Sequence, residues 1–199
     1  MPLIKKGSAK KKKIIEDYNS TSSFYDKRYE KIQMQKFDLI LKDFNYEYKT
    51  MIDAGCGTGL LFEYILFEKE QNKTLSYIGT DISWMMLKEF QKKLEKLQIN
   101  VNLNLILSDL EYMPLRSNVF NSIVSFTSLQ NLGNLKVGVN ELMRIAKNGT
   151  QFKISILKKN LNPKKFIKIV KSYIKDLEVK SIENMEDYLI QGTVLKGSV

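Results

Sequence analysis

Histidine is absent from this chain of 199 residues, which removes the commonest general base near neutral pH and the commonest metal ligand. Any chemistry has to proceed without imidazole. The single cysteine, Cys56, has no partner for an intramolecular disulfide. No apolar run approaches the length needed to cross a bilayer. The opening Met1-Pro2-Leu3-Ile4 leads into lysines without the apolar middle of a secretion signal. The expectation is a cytoplasmic protein that makes no use of a membrane. Arginines are few and are not interleaved with aromatics, so the stripe that stacks on nucleic-acid bases is missing. There is no internal repeat and no sign of a second domain.

What remains suffices for one globular domain, monomeric or homodimeric, because 43% of the residues are hydrophobic. The formal charge of +10 is carried almost wholly by lysine, a field that attracts polyanions in a salt-dependent way without naming a partner. Six of those lysines, at positions 5, 6 and 10–13, fall in the first thirteen residues with no carboxylate among them. Self-repulsion predicts an extended, flexible arm over residues 1–17 unless something anionic orders it. A solvated tail is the plain reading, and weak polyanion binding is the alternative.

The single domain is expected over residues 18–199, with a helical N-terminal segment at 18–48 and the core at 49–199. From Tyr29 to Phe44, residues Phe37, Ile40, Leu41 and Phe44 recur at helical spacing. Strand-like and helix-like stretches then alternate: strands at 50–54, 76–81, 101–107, 120–126 and 151–157, with helices between them. Ser83 is placed to cap the second of those helices. Asn102 and Asn104 alternate with leucines in the third strand, which suits a sheet edge. Gly149 is placed to end a helix before the fifth strand. Pro163 opens a helix expected to carry Phe166, Ile169, Val170, Tyr173, Ile174 and Leu177 on one face. Two closing strands, 177–182 and 188–195, joined by a short turn, must be antiparallel. The series predicts an α/β fold: a doubly wound, mostly parallel, Rossmann-like sheet of seven strands with an antiparallel C-terminal strand and helices on both faces.

In such a sheet the ligand lies beyond the carboxyl ends of the strands, and the exit turn of the first strand holds it. Here that turn is Asp53-Ala54-Gly55-Cys56-Gly57-Thr58-Gly59. Its glycines admit close approach of a ligand to the main chain, and the amides of the following helix point toward it. A dinucleotide fingerprint spaces its glycines G-x-G-x-x-G, whereas Leu60 fills the third glycine position here. Asp53 is also unwelcoming to a pyrophosphate and suited to a cation such as an amino-acid ammonium. Both points count against a nicotinamide oxidoreductase.

Several further segments stand in order behind this turn: Ile78-Gly79-Thr80-Asp81-Ile82-Ser83, Ser108-Asp109-Leu110, Met113-Pro114-Leu115, Asn118 to Ser125, and Glu141 to Gly149. Together they resemble the class I S-adenosylmethionine-dependent methyltransferases, in the small group with an unelaborated core (methyltransferase type 11-like), over about Tyr18 to Gly149. The resemblance implies S-adenosylmethionine as cofactor and S-adenosylhomocysteine as product. It implies a cofactor site made of Asp53, Gly55, Cys56, Gly57, Gly59, Asp81, Ile82, Asp109, Leu110 and Ser125. Asp81 would accept from the ribose hydroxyls, Ile82 would pack on adenine, and Asp109 with the Leu110 amide would read the adenine edge. Taken singly, either aspartate also reads as a turn or cap. Tyr18 and Tyr25 fall in a segment that resembles the family's cover over the cofactor, and the other reading is that Phe24 and Tyr25 pin a helix to the core.

Transfer from a sulfonium to nitrogen or oxygen needs mainly alignment, worth ~7–11 kcal/mol of barrier, so the missing imidazole is tolerable. The segment Ser125-Phe126-Thr127-Ser128-Leu129-Gln130-Asn131 lacks the Asn-Pro-Pro-aromatic or Asp-Pro-Pro-aromatic run that marks methylation of exocyclic base amines in the wider family. Cys56, held in the cofactor loop, is no nucleophile for pyrimidine C5. The acceptor is left open among small molecules, proteins and RNA, and no catalytic residue is assigned. A catalytically silent subunit that kept the fold is the alternative function.

Overall fold

The computed structural model describes residues 9–42, 44–47, 49–68, 74–97, 102–159 and 162–196. Lys5, Lys6 and Val101, used above, lie outside these. Two helices lead the chain: α1 (Ala9–Thr21), then, after a 3-10 turn at Ser22–Phe24, α2 (Tyr25–Leu41). The core alternates β1 (Thr50–Ala54), α3 (Leu60–Glu68), β2 (Ser76–Asp81), α4 (Trp84–Leu97), β3 (Asn102–Leu107), β4 (Phe120–Phe126), α5 (Leu135–Ile145), β5 (Ala146–Leu157), α6 (Pro163–Val170), β6 (Ile174–Ser181) and β7 (Asp187–Val194).

The seven strands form one sheet in the order β3-β2-β1-β4-β5-β7-β6. β1 to β5 pair in parallel and β7 runs antiparallel to both β5 and β6. The half-polar strand is indeed at the edge, with Asn102 and Asn104 exposed and Leu103 and Leu105 half-buried. Period-two alternation sends Ile52, Ala54 and Ile123 to the core packed by α5 and α6, and Met51 and Val124 to the core packed by α2, α3 and α4. Strand order reverses at β1, between β2 and β4, and this opens a crevice at the carboxyl ends of those strands. Among the described residues, no helix is long and apolar enough to cross a membrane.

Four expectations need correction. Residues 9–17 belong to α1 instead of an extended arm, because buried carboxylates inside the fold neutralise Lys11. The second helix starts at Tyr25 and ends at Leu41, so Phe44, although buried, lies beyond it. Gly149 ends no helix: α5 stops at Ile145, and Gly149 sits within β5 at φ +80, where the pairing of β5 with β4 shifts register. Helix α6 stops at Val170, and Ile174 and Leu177 belong to strand β6. Strand pairing with β7 competes there with helical spacing and wins.

Gly59 holds φ +85, and a Cβ on it would stand 2.4 Å from the ring of Phe90. Gly57 holds φ +55 with open space around it. Gly59→Ala should therefore cost about 2–4 kcal/mol of stability, from backbone strain plus crowding. Gly57→Ala should cost only about 1–2 kcal/mol. Urea denaturation of both variants checks the ranking.

Candidate cofactor site

The crevice is a cleft of about 650 Å³. Its floor is built from strand ends. Gly55 and Gly57 line it from the turn after β1, Asp81 and Ile82 from the end of β2, and Asp109 and Leu110 from just beyond β3. Eight of the twelve expected site residues line this cleft, the other two being Tyr18 and Tyr25, which face it from α1 and α2.

Asp81 ties the floor together. Its Oδ2 accepts the Gly57 N–H at 2.9 Å and its Oδ1 accepts the Ser83 N–H at 2.8 Å. Burial pushes its carboxyl above the usual range, against the pull of those amides. The carboxylate keeps acceptor capacity beyond these amides, which suits a hydroxyl-bearing ligand. Ser83 caps α4 as expected, with its Oγ accepting the Met86 N–H at 3.2 Å, and its hydroxyl donates to Asn19 of α1 at 2.7 Å.

The remaining expected residues lie elsewhere. Asp53 is 2% exposed and lines an adjoining cavity of about 320 Å³ together with Cys56, Gly57 and Tyr25. Tyr77 donates its hydroxyl to Asp53 Oδ2 at 2.5 Å, yet burial, aided by Asp81, still pushes the Asp53 carboxyl up to about 7. Burial likewise drives the Cys56 thiol well up, leaving it a small packed group. Gly59 lies against Phe90, and Ser125 is fully buried, donating to the Ala54 carbonyl at 2.7 Å. Neither Gly59 nor Ser125 lines either cavity. Both shape the β1 turn from behind.

Lys11 is the residue that sequence reasoning missed. Its ammonium lies 2.6 Å from Asp109 Oδ2 and 3.0 Å from Glu111 Oε2, and it stands 5.4 Å from the centre of the Tyr112 ring. Burial works against its charge, but the two carboxylates outweigh it and hold its pKa above the ordinary value. Lys11, Ile14 and Tyr18 line the cleft from one helical face at i, i+3 and i+7. That spacing is visible in the sequence, masked by the neighbouring lysines. Asp109 is thus already engaged, accepting Lys11 on Oδ2 and the Glu111 N–H on Oδ1 at 2.9 Å. Asn131, also on the cleft wall, donates to the Tyr18 hydroxyl at 2.9 Å.

This donor and acceptor set fits the expected cofactor: apolar faces at Ile82 and Leu110, a carboxylate with spare acceptor capacity at Asp81, and an acid at Asp53 that a cation would ionise. A family model described as a methyltransferase domain matches residues 52–154. An uncharacterized protein of Methanocaldococcus jannaschii, MJ1252, is 29% identical over 137 residues, 67% of this chain. The chain spans about half of that relative's length, 47%. Among solved structures, the fold is similar to magnesium protoporphyrin IX methyltransferase from Synechocystis PCC 6803 with bound S-adenosylmethionine. That match has a TM-score of 0.74 at 17% identity, covering 95% of this chain and 99% of that one. It is also similar to a Haloferax volcanii complex of the Trm112 methyltransferase activator with a putative methyltransferase, at TM-score 0.75 and 13% identity, covering 90% and 98%. With a family model covering half its length, the chain belongs to the class I S-adenosylmethionine-dependent methyltransferases.

Proposed function

We propose that the chain transfers a methyl group from S-adenosylmethionine to a nitrogen or oxygen of its acceptor. The observation that carries this reading is Asp81, which is fastened to the glycine turn through Gly57 and still has acceptor capacity on the cleft. In this reading Asp81 receives the ribose hydroxyls, Ile82 and Leu110 sandwich the adenine, and Asp109 with the Leu110 amide reads its edge. Gly55 and Gly57 leave room for the methionine portion, and Asp53 behind them balances its ammonium. Cys56, Gly59 and Ser125 keep the turn in shape. Tyr18 and Tyr25 close the cleft from above and keep water from the methionine end.

When bound, the cofactor supplies an electrophilic methyl on sulfur. The protein's part is to fix that methyl's direction and dry its surroundings. A second reading, a silent subunit that works by association, draws on the likeness to a methyltransferase found with an activator. The retained Asp53, Gly57 and Asp81 argue against it, because a silent copy is free to lose them.

Asp53 generates a pH prediction. A carboxyl held near 7 in the folded protein keeps its proton between the unfolded value and about 7. Its stabilising share is therefore full at low pH and lost as pH rises through 7. An ammonium ligand favours the ionised acid, so cofactor affinity should rise from pH 5.5 to about 7.5 and then level, with proton release on binding near pH 6. Calorimetry in buffers of different ionisation heat reads this directly, and Asp53→Asn should flatten the curve. The function itself is tested by labelled-methyl transfer into fractionated cell extract with RNase and protease controls. Label in one fraction that is lost on boiling the enzyme supports it. No incorporation into any fraction contradicts it and favours the silent subunit.

A further inference from the structure

The ends of β1, β2 and β3 are taken up by the cofactor in the reading above, on which this inference rests. The ends of β4, β5 and β7 carry a second polar cluster that the cofactor leaves unused. Lys36 of α2 and Asp187 at the start of β7 form an ion pair at 2.5 Å, with side chains only 2% and 1% exposed. Thr127, the first residue after β4, stands between this pair and the cleft, which it lines. Its hydroxyl accepts from the Lys36 ammonium at 2.7 Å and lies 3.3 Å from Asp187 Oδ1, to which it donates. Ser155 Oγ is also 3.3 Å from Asp187 Oδ1, and Gln33 reaches Thr127 through its Nε2 at 3.5 Å.

Two features set this cluster apart from a structural tie. Thr127 holds φ +53, a conformation that costs a β-branched residue about 1–3 kcal/mol and persists only where its surroundings enforce it. Its N–H is indeed held twice, by the Ser155 carbonyl at 3.1 Å and the Ser155 hydroxyl at 3.0 Å. Second, a fully buried ion pair is a poor way to join α2 to β7, since apolar side chains of similar volume do so at no desolvation cost. Burial outweighs the pull of Asp187 and of Glu186, so Lys36 lies below its usual pKa. Gln33 Oε1 is buried in the same cluster without a hydrogen-bond partner.

Elsewhere along the cleft, proton acceptors are scarce. Burial drives the phenols of Tyr18 and Tyr25 upward, and there is no histidine in the chain. Asp109 is taken by Lys11 and, in the reading above, by the adenine edge. Asp53 lies behind the glycine turn in the adjoining cavity, on the cofactor side.

We propose that Thr127 is the catalytic residue that meets the methyl acceptor, with Lys36 and Asp187 as positioning residues that make its hydroxyl a proton relay. The acceptor is then a group that must give up a proton to be methylated: a hydroxyl, which loses it as the new bond forms, or an ammonium, which loses it first to free the lone pair that attacks. The methyl carbon leaves sulfur, which keeps the bonding pair, and bonds to the acceptor oxygen or nitrogen. The acceptor's proton passes to Thr127 Oγ1 as the hydroxyl proton of Thr127 passes to Asp187 Oδ1. The products are the thioether, the methylated acceptor and a neutral Asp187 beside the Lys36 ammonium, and Asp187 loses its proton to solvent as product leaves.

Thr127→Val, Thr127→Ser and Asp187→Asn test this through two readouts: calorimetric binding of S-adenosylhomocysteine, and labelled-methyl transfer into cell extract at saturating cofactor across pH 5.5–9. All three should bind S-adenosylhomocysteine within about threefold of the unaltered protein. Thr127→Val should transfer about a hundredfold slower, the scale of a lost acid–base group, while Thr127→Ser stays within about threefold. Asp187→Asn should transfer at least tenfold slower at saturating cofactor. Transfer by Thr127→Val at the unaltered rate, or an equal loss in Thr127→Ser, overturns the relay. If Asp187→Asn fails to fold, the valine and serine pair decides alone. Unaltered protein that binds the cofactor product but transfers nothing overturns the enzyme reading, and the relay with it.

Discussion

Everything at the cleft depends on one carboxylate. Asp81 ends β2 and reaches across to the turn after β1, where it takes the Gly57 amide, and forward to the start of α4, where it takes the Ser83 amide. Two strands and a helix are thereby locked at the point where the sheet reverses order. Parallel strands bring their carboxyl ends to one side, so polar residues that would be scattered in an antiparallel sheet converge here. The cost is visible in Asp81 itself, whose acidity is weakened by burial. A charged or hydroxyl-bearing ligand relieves that cost, and a cavity carrying such a residue is primed for binding.

The N-terminal helices answer this floor with a cover fixed by polar contacts. Lys11 meets Asp109 and Glu111, Tyr18 accepts from Asn131, and Asn19 accepts from Ser83. Asp26 of α2 accepts the Thr58 hydroxyl of the glycine turn at 2.5 Å and pairs with Lys93 of α4 at 2.6 Å. Lys10 adds a contact from its ammonium to the Leu132 carbonyl at 2.8 Å. Apart from the buried Lys11 pairs, these contacts are partly exposed and individually modest.

The sequence made the floor readable because parallel-strand ends announce themselves locally: an apolar strand, then a glycine turn or an aspartate. Asp53, Gly57, Asp81 and Asp109 all stand at such junctions. β1, β2 and β4 follow the expected bounds for the same reason, being short apolar stretches closed by turns. The cover was harder to read, since Lys11 becomes a buried residue only through carboxylates about a hundred positions away. The α6 to β6 boundary failed on similar grounds, because Ile174 and Leu177 satisfy helical spacing but lie in a strand whose pairing with β7 holds Ile174 directly and resumes at Glu178 after an irregularity. Thr127, Lys36 and Asp187 come from three separate elements, and nothing in the local pattern of any one of them points to the others.

Calorimetric titration of the unaltered protein and of Asp81→Ala with S-adenosylmethionine tests the central claim most directly. The account predicts saturable binding at one site per chain, weakened in Asp81→Ala by ~1.5–3 kcal/mol through the loss of charge-assisted hydrogen bonds. No binding by the unaltered protein at millimolar cofactor, or equal affinity in the two proteins, would contradict it.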